Sequence, residues 1–172
     1  MNGTQRMIRA GSLAALLALA GCAGVPARDP AAVQTAPASA SAVSPRAQPT
    51  PGGRIARVAT EMIGIPYRYG GSDPREGFDC SGLVYYTYAH AGIAVPRTSA
   101  DLFKATRKIA LERAAEGDLV FFQDQAKMSH VGIYLGDSLF VHAPSSGSTV
   151  RISSLETPYY RRHLVAVGRL LP

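Results

Sequence analysis

Two cysteines, Cys22 and Cys80, and four histidines are the residues of this 172-residue sequence best suited to nucleophilic and acid–base chemistry. Cys80 follows Asp79, a residue type that caps helices, and precedes helix-compatible residues as far as His90. A thiol in the first turn of a helix meets unpaired N–H groups and aligned peptide dipoles, which favour thiolate, so Cys80 is expected to have a depressed pKa. His130 and His142 fall on neighbouring strands of one hairpin, beside Gly132 and Ala143, whose small size leaves room for a ligand. One imidazole can take the thiol's proton while the other orients it. The chemistry implied is nucleophilic attack by the sulfur with an imidazole managing its proton. His90, near the end of the Cys80 helix, and His163, after Arg161-Arg162, are assigned to a helix end and a solvated turn. Two cysteines are too few for a disulfide framework or a thiolate zinc site. The paired histidines also lack carboxylate companions, so no metal or other cofactor is implied.

These groups need elements to hold them. Ile55, Val58, Ala59, Met62 and Ile63 form a helical stripe ended by Gly64 and Pro66, which predicts a first helix over about 54–63. Thr98 to Asp101 has capping-box-like spacing and opens a third helix after the Cys80 helix. Beyond Gly117 the pattern changes to period two, with strands expected over 118–123, 130–135, 139–142, 150–153 and 164–170. Helices first and strands after argue an α+β domain: N-terminal helices on an antiparallel sheet of about five strands. The hairpin is the sharpest constraint. Directly opposite residues of an antiparallel pair share a face. His130 and His142 therefore share one only if the joint Gly136-Asp137-Ser138 is an odd-length loop or a bulge compensates. In the loop version, Leu135 faces Leu139 and His142 lies opposite Gly132, with both imidazoles directed toward Cys80.

The N-terminal third cannot supply a core, because all Phe and Tyr residues lie at or after Tyr67. Residues 1–21 carry Arg6 and Arg9, an apolar run from Leu13 to Ala20 and small residues before Cys22, a signal-peptide pattern too short for a bilayer span. Leu19-Ala20-Gly21-Cys22 resembles the lipobox of bacterial lipoproteins, which implies an acylated Cys22 as the mature N-terminus and a membrane anchor. Ala23 after that cysteine is similar to the pattern of lipoproteins on the periplasmic face of the Gram-negative outer membrane. Residues 22–53 are rich in Ala, Pro and Ser and read as a disordered tether leading to a domain over 54–172. That domain holds 14 Lys and Arg against 11 Asp and Glu, a mild excess with no basic tract, which excludes nucleic acid as a partner.

Six segments together carry a resemblance: residues 66–71 (Pro66-Tyr67-Arg68-Tyr69-Gly70-Gly71), 78–84 around Asp79-Cys80-Ser81-Gly82, 96–99 (Pro96-Arg97-Thr98-Ser99), 117–122, 129–134 around His130 and 140–143 around His142. In this order they resemble NlpC-type peptidoglycan endopeptidases, papain-like cell-wall cysteine peptidases, over essentially all of 54–172. The lipobox, tether and Cys-His-His pattern are most similar to the lipoprotein members. The resemblance implies Cys80 as nucleophile, His130 as base and His142 as the orienting third residue. It implies a Tyr67 hydroxyl near the nucleophile, and Asp79, Ser81, Arg97 and Ser99 along the substrate groove. The implied substrate is an amide bond of a peptidoglycan stem peptide, either the D-glutamyl to diamino-acid bond or the peptide crosslink. A related thiol amidase or acyltransferase, or a catalytically silent peptidoglycan-binding lipoprotein, are the alternatives; the complete set of catalytic groups favours the peptidase. The sequence departs from many relatives at Leu102, where they carry Gln.

Overall fold

The computed structural model describes residues 49–124 and 127–170; Cys22, the signal-peptide pattern and most of the tether lie outside the described residues. Helix α1 (Pro51–Glu61) starts at Pro51 rather than Arg54. Thr50 caps it, its Oγ1 accepting the Gly53 N–H at 3.0 Å, and Pro51 brings a pre-set φ to the first helical position. Its stripe buries Ile55 and Ala59 completely. A short ribbon of β1 (Ser72–Asp73) and β2 (Gly77–Phe78) leads into α2 (Cys80–His90). Leu83, Val84 and Tyr88 of α2 are fully buried, and the Tyr88 hydroxyl donates to the Gly117 carbonyl at 2.6 Å. Helix α3 (Ser99–Ala105) is capped as its sequence suggests, with the Asp101 N–H donating to Thr98 Oγ1 at 3.2 Å.

The expected antiparallel sheet is present, with six strands: β3 (Arg107–Ile109), β4 (Leu119–Asp124), β5 (Lys127–Gly136), β6 (Leu139–His142), β7 (Arg151–Ser154) and β8 (Leu164–Arg169). Their spatial order is β3-β8-β4-β5-β6-β7. The added strand, β3, is a three-residue edge beginning Arg107-Lys108. Charge protects such an edge from further pairing but erases the apolar alternation by which strands are read. His163, expected in a turn, ends a short helix α4 (Pro158–His163).

Alternation divides the sheet into two faces. On one, Leu119, Phe121, Val131, Ile133 and Val141 pack against Ile55, Leu83, Tyr88 and Leu102 of the helices. On the other, Val120, Phe122, Phe140 and Val167 form a second cluster, with Tyr160 of α4 against it. A side chain of this size, buried fully, contributes about 1.5–3 kcal/mol. Leu102 thus belongs to the core, with no exposed surface, which explains why an apolar residue stands there.

Candidate active site

The start of α2 is assembled by close approach. A Cβ on Gly82 would lie 1.9 Å from the Gly71 carbonyl oxygen, and one on Gly71 would lie 2.3 Å from that of Gly77, so the Gly70-Gly71 turn fits flush against the helix only as glycine. Asp79 caps the helix, Oδ1 accepting the Gly82 N–H at 2.6 Å, while Oδ2 accepts the Gly70 N–H at 2.9 Å. Arg97 grips the same carboxylate with both terminal nitrogens at 2.9 Å, and also reaches Ser81 Oγ at 2.9 Å and the Gly71 carbonyl at 3.1 Å. Burial pushes the Asp79 carboxyl up, but the Arg97 guanidinium, the Gly82 amide and the Ser81 hydroxyl outweigh it and hold the group below the usual carboxylate range. The carboxylate that Arg97 binds is therefore Asp79.

Cys80 occupies the first position of α2 and is partly buried. Its pKa departs from expectation: burial pushes the thiol up, and the Asp79 carboxylate adds to this. The nearby backbone N–H groups of Val131, Ser81 and Cys80 itself act in the opposite direction without prevailing. Burial outweighs the helix end, and the anionic cap beside the sulfur adds to it. Cys80 packs against the core cluster that includes Val131, the residue following His130 on β5. Tyr67, half-buried, lines the same depression of about 490 Å³ as Cys80, Arg97 and Ser99. Burial and the neighbouring Cys80 and Asp79 raise its pKa, so its hydroxyl remains a proton donor.

Across the β5–β6 hairpin, Ile133 pairs with Val141 and Tyr134 with Phe140, but Gly136 pairs with Leu139. The turn is two residues, Asp137 and Ser138, with φ of 48° and 59°, and the register shifts between Tyr134 and Gly136. The compensating bulge, not the odd loop, sets the histidine faces, and Leu135 does not oppose Leu139. His130 Nε2 lies 2.7 Å from His142 Nδ1. His142, fully buried, holds Ser153 Oγ of β7 at 2.9 Å through Nε2, with the Tyr160 hydroxyl 3.4 Å from the same nitrogen. Burial lowers His130 to about 4. Burial, then the charges of His130 and Arg151, lower His142 to about 3. Both rings are neutral at pH 7, joined in one hydrogen-bonded line from His130 through His142 to Ser153. Sequence reasoning missed Ser153 and Tyr160. Ser153 falls within an expected strand, yet its partner on β6 depends on the loop 143–150, which has no periodicity to read.

A cysteine opening a helix, set against a strand whose histidine is held at its far nitrogen by a second polar side chain, defines a papain-like α+β domain. The chain belongs to the NlpC/P60 family, whose model matches residues 64–169. It is 43% identical over 116 residues to murein DD-endopeptidase MepH of Escherichia coli (strain K12), covering 64% of this chain and 43% of that protein. It is also 43% identical over 119 residues to the bifunctional muramidase/DL-endopeptidase CwlT of Bacillus subtilis (strain 168), covering 67% of this chain and 36% of that one. Among solved structures, one from Staphylococcus aureus subsp. aureus Mu50, described as similar to lipoprotein, NLP/P60 family, superposes with a TM-score of 0.64 at 34% identity, over 73% of this chain and 45% of that one. The chain thus spans less than half the length of these relatives.

Proposed function

We propose that this protein is a cell-wall cysteine endopeptidase that hydrolyses an amide bond of peptidoglycan stem peptides. The observation that carries the reading is Cys80 at the start of α2, packed on the core cluster that includes Val131, next to His130, whose Nε2 is held by His142. The hydrogen-bonded line can run in two directions. When His130 donates to His142, and His142 to Ser153, His130 Nδ1 is bare and can accept a proton; the reverse direction blocks it. In the productive direction Nδ1 takes the Cys80 proton as the sulfur attacks the scissile carbonyl. The oxyanion forms beside the Cys80 N–H and the Tyr67 hydroxyl, donors each worth about 3 kcal/mol of barrier where well aimed. Collapse breaks the C–N bond, the imidazolium returns its proton to the leaving amine, and a thioester remains. Water then attacks with His130 as base, and Cys80 departs as the thiol. Because the resting thiol is protonated and His130 neutral, proton transfer accompanies attack instead of preceding it.

The names of the relatives include both DD- and DL-endopeptidases, so the bond is either the D-glutamyl to diamino-acid bond or the peptide crosslink. Asp79, Ser81, Arg97 and Ser99 line the acyl side, where Asp79 and Arg97 act as a closed pair that shapes the groove. The lipobox-like residues before Cys22 support acylation there, and the Ala-, Pro- and Ser-rich composition of residues 23–53, whose last three open α1, supports a tether from the outer membrane's periplasmic face. Digesting purified peptidoglycan with the protein and with Cys80→Ala, then identifying fragments by mass spectrometry, tests the reading. New peptide ends that require Cys80 are expected; identical fragments from both proteins would overturn it. Detergent partitioning unchanged in Cys22→Ala would overturn the anchor.

A further inference from the structure

A second depression, of about 520 Å³, adjoins the first, and Ser129 lines both. It is walled by His130, Arg151, Tyr159, Tyr160 and His163, and no acidic residue lines it among the described residues. The β6–β7 register sets Arg151 directly opposite His142, so Arg151 stands on the face that carries both histidines. Its side chain is exposed, and among the described residues no carboxylate forms an ion pair with it. On the Cys80 side, by contrast, the arginine is occupied by Asp79. The two halves therefore differ in charge: one is internally neutralised, and the other presents an unpaired guanidinium within the same groove as the base.

We propose that this second depression receives the amine side of the scissile bond and that Arg151 binds a free carboxylate there. The proposal rests on the peptidase reading above and deepens it. In both candidate bonds the residue beyond the scissile amide is a diamino acid. If that residue is a diamino dicarboxylic acid, it brings a carboxylate that its own peptide bonds leave free. A guanidinium binds such a group through two parallel N–H···O bonds. Tyr159, half-exposed in the same depression, offers a ring face for the methylene chain joining the two amine-bearing carbons. Arg151 then distinguishes a diamino dicarboxylic residue from one whose carboxylate is absent or amidated.

Calorimetric titration of the full chain carrying Cys80→Ala with two fragments tests this. One is a diamino dicarboxylic acid dipeptide with its side-chain carboxylate free, and the other is the same dipeptide amidated at that carboxylate. The free form should bind at least about 10-fold more tightly. Adding Arg151→Met should abolish the difference, and Arg151→Lys should restore part of it. Equal affinity for the two fragments, no binding of either, or a preference that survives Arg151→Met would overturn the proposal. So would equal weakening of both by Arg151→Met, which marks a packing role. The readout is binding and needs no turnover, so absence of Cys80-dependent hydrolysis in the unmutated protein would fail the peptidase reading separately.

Discussion

The two walls that meet at the thiol are stabilised in opposite ways. At the start of α2, Asp79 and Arg97 bring full charges together in a half-buried cluster and cancel them with two bonds at 2.9 Å and backbone amides. On the β5–β7 face, His142 is buried and His130 half-buried, with no counter-charge beside them among the described residues, and both stay neutral, linked to Ser153 by bonds between uncharged groups. The first arrangement is sturdy as long as both partners remain, since removing one leaves a charge that burial penalises. The second costs little to keep but is sensitive to which nitrogen bears the proton. Damage to the helix end should therefore appear chiefly as lost stability, and damage to the histidine line as lost rate.

Cys80→Ala stands outside this division and removes the reacting atom; hydrolysis should fall by roughly 10⁴-fold or more with the melting temperature nearly unchanged. His142→Ala is expected to lower kcat by about 100- to 1000-fold, and His142→Asn, which can still accept from His130, by less. A fall in stability with intact kcat for His142→Ala would break the comparison. Asp79→Ala should have the opposite profile: an unfolding free energy lower by about 2–4 kcal/mol in denaturant titration, because a cap is lost and Arg97 is left unpaired.

How far these walls could be read from sequence differs in the same way. The cap at Asp79, the thiol behind it and the Gly-Gly turn are local, within about a dozen residues, and were legible. Arg97 was also legible as a carboxylate binder, but its carboxylate lies eighteen residues upstream and nothing in the intervening pattern identifies it. The raised thiol pKa was not legible, because burial depends on β5 arriving against the helix. For the two histidines to share a face the hairpin needed an odd loop or a compensating bulge, and the bulge is present; which of the two was not legible. Asp137-Ser138 adopts left-handed angles that are usually signalled by glycine at the second position. Ser153 could not be placed without the length of the loop that precedes β7.

A pH–rate profile sharpens the contrast further. His130 must be neutral to accept a proton, so activity is present above its folded pKa and lost as pH falls through about 4. An acid limb of kcat/KM near the ordinary histidine value of about 6.5 would show that the line is more solvated than its packing implies. The smallest effect expected is that of Ser153→Ala, about 10-fold in kcat with KM unchanged, because His142 Nε2 loses its partner at 2.9 Å and the ring that orients His130 is held less firmly. Ser153→Thr should recover most of it, and a rise in KM alone would mark Ser153 as a packing residue.

The strand order has a consequence for how the domain is made. Strand β8 lies between β3 and β4, pairing Arg107 with Arg169 on one side and Leu119 with Gly168 on the other. It is translated after both strands that it joins, and β3 has no other neighbour in the sheet. Until residues 164–169 leave the ribosome, the sheet has a gap in its interior, not a missing edge. Pairings at such sequence separation make for slow, late closure. A nascent or truncated chain that stops at His163 should therefore be degraded as unfolded protein instead of persisting as a shortened domain.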